Sequence, residues 1–199
     1  MKKKLNEYLS RGLRKIKHRK GFGVHSPFAF AIITEVIEEK LPYYAYGSMQ
    51  RRYDKKSSVP FKAVTLLFRL ANRFGCRNIA ILGEEQYAVM PLREVDSRNQ
   101  LTIINNTQDL AVIGEGLFDM VVVNDNYLSD SHALSEWLYT HTHPESVIFV
   151  KGIQSRHLLE GVWDIFSDLD EIPITMDLFD YGIAIRKPNF FKQHYIVSF

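Results

Sequence analysis

The sequence lacks several features that would place it in a class at once. Its 199 residues include a single cysteine, Cys76, which excludes an internal disulfide and a cysteine-rich metal site. No apolar run approaches the ~18 residues of a membrane span, and no repeat or low-complexity tract occurs. The basic N-terminus is not followed by the apolar segment of a secretory signal. We therefore expect a globular, cytoplasmic protein.

Charge is unevenly distributed along the chain. Residues 1–20 contain nine Lys and Arg against one acid, Glu7, whereas the other residues contain 16 basic and 22 acidic side chains. Apolar residues recur in this arm at helical spacing, which predicts an amphipathic basic helix over residues 4–17. Such a helix could bind nucleic acid or an anionic membrane surface. We favour the simpler interpretation that it packs on its own sheet or on a second copy, with a homodimer slightly preferred.

The rest of the chain changes from helical to alternating periodicity. Ser26 and Pro27 predict the start of a helix that runs to about Glu39, and Pro60 and Gly75 bracket another. Alternating strands and helices then predict a mostly parallel sheet, closed by a C-terminal antiparallel hairpin. We expect strands at 79–82, 101–104, 119–123, 147–150, 174–178, 182–185 and 195–197, and helices at about 131–139 and 158–166. The predicted division is a helical extension with its basic arm, residues 1–58, and an α/β domain, residues 59–199.

Two groups of side chains invite a functional interpretation. Tyr43, Tyr44 and Tyr46 cluster in a predicted loop before a polar segment, and they could stack a substrate or simply cover the edge of the core. Seven histidines suggest metal, but His141 and His143 have no acidic or thiol neighbours at ligand spacing, so a surface pair is the better interpretation. Ser26 next to His25 is better explained as a helix cap than as a nucleophile.

Several segments resemble the class I S-adenosylmethionine-dependent methyltransferases, in particular a Bacteroidetes-type branch. The resemblance runs from about residue 20 to the C-terminus, and its most specific segment is Gly23-Val24-His25-Ser26-Pro27-Phe28. It implies a Rossmann-like α/β sandwich that binds S-adenosylmethionine and a small-molecule methyl acceptor. The other matching segments are Pro42-Tyr43-Tyr44-Ala45-Tyr46, Leu67-Phe68-Arg69-Leu70, Phe118-Asp119, Trp163, Asp177-Leu178-Phe179 and Gly182-Ile183.

The resemblance also implies positions for a site. It places cofactor-binding residues at Gly83, Glu84, Asn105, Asn124 and Asp125. The substrate side would hold His25, Tyr43 and Tyr44. No residue is assigned a catalytic role, and no metal is implied.

The chain departs from the family pattern at the cofactor positions. Glu84, Glu85 and Tyr87 follow Gly83, where the family has small residues and a second glycine that leave room for the ligand. Asn105 or Asn106 replaces the acid that holds the ribose, and an Asp-Asp pair becomes Lys151-Gly152. Lys151 would repel the sulfonium and could pair with Glu84 or Glu85 to plug the site.

The chain is also short where the family has an additional unit. Residues 106–117 leave space for one short helix between two strands, where the family fits a helix, a strand and a helix. We therefore expect one edge strand to be missing and Leu101–Ile104 to lie at the margin of the sheet. The sequence favours a degenerate, inactive member with a binding or regulatory role. The alternative is an active methyltransferase with a rebuilt site.

Overall fold

The computed structural model describes residues 23–57, 59–83, 86–106, 110, 116–124, 131–154 and 158–199. The predicted basic helix of residues 4–17 lies outside the described residues, as do Glu84, Glu85 and Asp125. No helix in the described ranges has the length and apolarity needed to cross a membrane.

From residue 23 onward, four helical segments precede the first described strand. Helix α1 spans Pro27–Ala31, and the predicted Ser26 cap is confirmed because its Oγ accepts a hydrogen bond of 3.3 Å from the N–H of Ala29. The chain continues as a π-helix, Ile32–Ile37. Helix α2 spans Tyr46–Arg52 and helix α3 spans Phe61–Phe74.

Both predicted ends of helix α3 are confirmed, and one loop prediction is wrong. Pro60 is the N-cap, and Gly75 ends the helix with a left-handed φ of 62°. Sequence patterns predicted a tyrosine-bearing loop and then a polar segment from Arg51. Instead, helix α2 begins at Tyr46 and includes Arg51, because Met49 anchors its buried face in the core.

The strands follow in the expected order. They are β1 Asn78–Leu82, β2 Gln100–Ile104, β3 Phe118–Val123, β4 Thr142–Lys151, β5 Ile174–Asp177, β6 Tyr181–Ile185 and β7 Gln193–Ile196. Helix α4 (Gln86–Val95) connects β1 to β2, α5 (Ser131–Thr140) precedes β4, and α6 (Leu158–Asp168) follows it. Strands β1 and β3 are almost wholly buried, as central parallel strands are.

The described strands form one mixed sheet in the order β2-β1-β3-β4-β6-β5-β7. Strand β6 pairs antiparallel with both β4 and β5, and the other pairings among the described strands are parallel. The expected C-terminal antiparallel hairpin is confirmed and is formed by β5 and β6. The turn composition Lys187-Pro188-Asn189 indicated that the last two strands form it, which is wrong because β7 pairs parallel with β5. Strand β2 occupies one end of the sheet, as the short 106–117 connection predicted.

Two hydrophobic clusters cover the two faces of the sheet. One contains the N-terminal helices together with α3 and α4, and the other contains α5 and α6. Residues of the described segment 23–57 therefore share a core with the sheet, and the proposed division at residue 58 stays a prediction.

A buried cation joins the N-terminal helices to α3. The Arg69 guanidinium is 5% exposed and donates to the carbonyls of Val36 (2.5 Å) and Ile37 (3.4 Å) and to the Tyr46 hydroxyl (2.8 Å). These carbonyls end the π-helix, where a positive charge is favourable.

Candidate functional site

The strand order places a possible ligand crevice between β1 and β3. The chain turns outward in opposite directions from these neighbours, towards β2 on one side and β4 on the other. Ligands of open α/β sheets bind beyond the carboxyl ends of the strands at such a switch point. In this chain, the crevice would lie between Gly83 and Asn124, which directly follow β1 and β3.

The Asn124 side chain bridges that crevice. It is fully buried, and its amide Nδ2 donates to the carbonyl of Leu82 at 3.0 Å. The backbone N–H of Asn124 donates to the same carbonyl at 3.0 Å. Its Oδ1 accepts a hydrogen bond from the Tyr87 hydroxyl. The end of β3 is thereby connected to the end of β1 and to helix α4.

Tyr87 closes the crevice from the side of α4. It lies in the first turn of that helix and is 7% exposed, so its ring occupies space that a smaller residue would leave open. Gly83 keeps a left-handed φ of 86°, which permits the tight turn out of β1. Its N–H, however, donates to the carbonyl of Ile104 at 2.8 Å and is already paired within the sheet.

An open cleft of about 490 Å³ lies beyond Tyr87, at the same edge of the sheet. It is bounded by the segment that follows α2, by α3, by α4 and by the end of β4. Its lining residues are Arg52, Tyr53, Asp54, Lys56, Ser57, Val59, Val64, Tyr87, Met90 and Lys151. Of the described residues, three cations and one carboxylate line it.

Two of these cations have defined neighbours. The Lys151 Nζ lies 5.6 Å from the centroid of the Tyr87 ring, within cation–π range. Arg52 forms an ion pair with Glu94 and donates to the Ser48 hydroxyl at 3.3 Å. The hypothesis that Lys151 pairs with Glu84 or Glu85 stays a prediction, since both acids lie outside the described residues.

The other predicted site residues are dispersed. Asn105 is exposed at the end of β2, near the crevice. His25 is exposed before α1, and Phe28 of that helix lines a different cavity, beside Asp119 at the start of β3. Tyr43 is half-buried with its ring 5.5 Å from Phe68.

Neither Tyr43 nor Tyr44 lines the cleft. Tyr44 is 83% exposed, with its ring 6.4 Å from that of Phe68. The substrate roles proposed for His25, Tyr43 and Tyr44, and the cofactor roles at the crevice, stay predictions.

Metal and nucleophile chemistry find little support in the described residues. These residues contain no group of three or more His, Cys, Asp or Glu able to hold a metal ion. The Nε2 of His143 lies at hydrogen-bond distance, 3.0 Å, from the Oδ1 of Asp119, and His141 stacks on Trp137. Burial, and secondarily the charge of Asp119, raises the pKa of the Cys76 thiol to about 12, so it stays protonated.

Sequence patterns missed two features of this region. The first is the Asn124–Tyr87 bridge, whose partners are 37 residues apart, so periodicity could not reveal it. The second is the basic cleft. The segment Arg51-Arg52-Tyr53-Asp54-Lys55-Lys56 was interpreted only as polar, although four cations within six residues were a usable signal.

Solved structures with a similar fold are methyltransferases. The SAH-bound methyltransferase PaMTH1 of Podospora anserina is 10% identical, with a TM-score of 0.50 over 83% of this chain and 97% of that one. A putative O-methyltransferase of Klebsiella pneumoniae is 14% identical (TM-score 0.48; 79% and 96% covered). A Bacillus cereus O-methyltransferase in complex with SAH is 13% identical (0.46; 79% and 97%).

At these sequence identities, the similarity shows the fold alone. The evidence for that fold is the similarity to the Podospora structure. The expected methyltransferase-like α/β fold is confirmed. No protein-family model matches the chain, and no curated protein matches it.

Proposed function

We propose that this methyltransferase-fold protein does not transfer methyl groups and acts instead by binding, in a regulatory role. The observation that carries the proposal is the buried bridge from Asn124 to Leu82 and Tyr87, which lies across the switch point of the sheet. A ligand entering there would have to break these hydrogen bonds and displace a buried aromatic ring.

Opening the crevice would leave buried hydrogen-bonding groups without partners. Separating buried hydrogen-bonding groups without replacing their partners costs about 1–3 kcal/mol for each group left unpaired. S-Adenosylmethionine would have to compensate for that loss before gaining affinity. Catalysis of methyl transfer depends on holding donor and acceptor in one geometry, so a closed donor site removes the reaction.

Charge at the end of β4 also supports the proposal. The Lys151 ammonium lies beside Tyr87, close to the crevice. S-Adenosylmethionine carries a positive sulfonium, and like charges in a partly buried site repel more strongly than in water. An acid at the position of Lys151 would instead attract the sulfonium.

One observation favours the alternative, an active methyltransferase with a rebuilt site acting on a small molecule. Gly83 retains the left-handed turn after β1, and Asn105 is exposed at the end of β2, where its amide could bond a ribose hydroxyl. S-Adenosylmethionine would then be the cofactor, held by Gly83, Asn105 and Asn124.

Calorimetric titration with S-adenosylmethionine distinguishes the two. We expect no binding tighter than about 10 μM, or roughly −7 kcal/mol, for the full chain. Replacing Tyr87 with alanine opens the crevice and should raise the affinity above that of the native protein, whereas Tyr44→Ala, which changes an exposed tyrosine, should not. Binding by the native chain below that limit would establish the alternative.

We also propose that the chain forms a homodimer. Strand β2 lies at the end of the sheet with Ile103 40% exposed, and free edges invite pairing. Light scattering of the full chain and of a form lacking residues 1–20 tests the proposal. A monomeric full chain contradicts it, and a truncated form that stays dimeric places the interface away from the basic arm. Nucleic-acid binding by that arm, the less favoured proposal, would weaken steeply with salt.

A further inference from the structure

The cleft beside Tyr87 combines an apolar wall with a basic rim. Val59, Val64 and Met90 supply the apolar surface, and Tyr53 and Tyr87 add aromatic surface. About 490 Å³ is within the range of small-molecule sites. The cavity is open to solvent on the side formed by the segment that follows α2.

The rim is held in place by local hydrogen bonds. The Tyr53 hydroxyl donates to the carbonyl of Val59 at 2.7 Å and so closes the segment into a loop. The Asp54 carboxylate accepts a hydrogen bond from the backbone N–H of Lys56 at 2.8 Å. The backbone carbonyl of Asp54 accepts one from the N–H of Ser57 at 3.0 Å. Lys56 is therefore carried on an ordered turn at the mouth of the cleft.

Cations on this rim come from three parts of the chain. Among the described residues, Arg52 lies at the end of α2, Lys56 on the turn and Lys151 at the end of β4, and the carboxylate that lines the cleft with them is that of Asp54. Arg52 is paired with Glu94, which reduces its contribution to the field at the mouth of the cleft. Arg51 and Lys55, exposed on the same segment, add to that field.

We propose that this cleft binds a small organic molecule that carries a phosphate group. A phosphate monoester has a charge of about −1.5 to −2 at neutral pH and three acceptor oxygens, which suits cations that converge from separate segments. The apolar and tyrosine surfaces inside the cleft suit the organic part. The proposal rests on the proposed function in one respect: Tyr87 closes the neighbouring crevice and at the same time forms a wall of this cleft.

The test uses inorganic pyrophosphate as the probe, titrated calorimetrically into the full chain. Lys56→Gln removes a charge that lines the cleft, and Lys55→Gln removes the adjacent exposed charge that does not, so the two variants form a matched pair. We expect Lys56→Gln and Lys151→Gln each to weaken binding at least about fivefold, since each removes a near charge. Lys55→Gln should weaken it by less than about twofold, since its charge is solvent-screened.

Three results would overturn the proposal. The first is no pyrophosphate binding below about 10 mM. The second is an equal loss of pyrophosphate affinity in Lys56→Gln and Lys55→Gln, which would show general attraction to a basic surface. The third is a single-stranded oligonucleotide of about ten nucleotides that binds tightly and loses affinity equally in both variants, which would indicate a nucleic-acid surface.

Titration of S-adenosylmethionine on the same samples separates this proposal from the proposed function. Pyrophosphate binding together with tight S-adenosylmethionine binding would refute the closed crevice and retain the phosphate site. Absence of both would refute the phosphate site and retain the closed crevice.

Discussion

The two ends of the central strands are held together in different ways. At the carboxyl ends, Asn124 and Tyr87 form a neutral bridge that is almost completely buried. At the amino ends, Asp119 accepts from the backbone N–H groups of Arg77 and Asn78 at 2.7 and 2.8 Å and pairs with His143. The Asp119 and His143 side chains are 32% and 30% exposed.

This difference predicts different responses to solution conditions. The bridge joins two neutral side chains, so it carries no charge for salt to screen. A half-exposed carboxylate does titrate, and ion pairs around it weaken as salt rises. Of these two contacts, the Asn124–Tyr87 bridge is therefore the one that salt should affect least.

Loss of the neutral bridge should reduce the free energy of unfolding more than the other substitutions do. Asn124→Ala removes the donor to Leu82 and the acceptor of Tyr87, both buried, and should lower the free energy of unfolding by about 3 kcal/mol. Urea denaturation in low and high salt checks this value, which should be the same in both. Asn105→Ala, at an exposed position after β2, is the control and should change little. A salt-dependent loss would contradict the neutral character of this end.

A second change tests how tightly the carboxyl end is packed. A Cβ on Gly182, in β6, would lie 2.3 Å from the nearest atom of the buried Trp163 ring, so the ring must move. We expect Gly182→Ala to cost about 2 kcal/mol, as overpacking does. Gly47→Ala is the control, because its Cβ would meet only the end of Arg51 at 3.8 Å. In helix α2, that control should stabilise by up to about 1 kcal/mol. Thermal unfolding of both variants measures the contrast, and a neutral Gly182→Ala would contradict it.

The amino end should show a pH-dependent effect of intermediate size. Burial raises the pKa of Asp119, but hydrogen bonds from Asn78, Arg77 and His143 outweigh it and hold that pKa below its usual value. The stabilisation is therefore complete above the unfolded pKa of about 3.9 and is lost as pH falls through the folded pKa.

Asp119→Asn tests this linkage. The variant should lose about 1–2 kcal/mol at pH 7 because a charged acceptor of two N–H groups becomes an amide. Urea denaturation from neutral to acid pH should show the native protein converging on the variant below pH ~4. A difference that stays constant across that range would assign the loss to packing rather than to charge.

The sequence was sufficient for the parts of the fold that depend on local patterns. Helix ends at Ser26 and Gly75 follow from capping chemistry, and the buried strand around Val121 follows from its apolar run. The marginal position of β2 followed from a connection too short for another strand. Each of these inferences uses residues close together in the chain.

Features that depend on distant residues could not be predicted. Arg69 binds carbonyls at the end of the π-helix, 32 and 33 residues away, and in the sequence it was one residue of a generic match. Strand β7 pairs with β5 and not with its neighbour in the chain, because pairing is decided by the whole sheet. At the candidate site, the hydrogen bond from Tyr87 to Asn124 joins residues 37 positions apart and was not predicted.

The smallest expected effect concerns the exposed ion pair at the amino end. Glu145 Oε1 lies 2.7 Å from the Nζ of Lys187, with the two side chains 60% and 28% exposed. Glu145→Gln should lower the melting temperature less than Asp119→Asn does. The loss caused by Glu145→Gln should vanish at ~1 M salt, where the screening length is about 3 Å. Glu145 also has a φ of 94°, a conformation that favours glycine. Glu145→Gly therefore removes both the charge and the backbone strain, and it should melt above Glu145→Gln at every salt concentration. Equal melting temperatures for the two variants would show that the backbone here carries no strain, and would leave the ion pair as the sole contribution of Glu145.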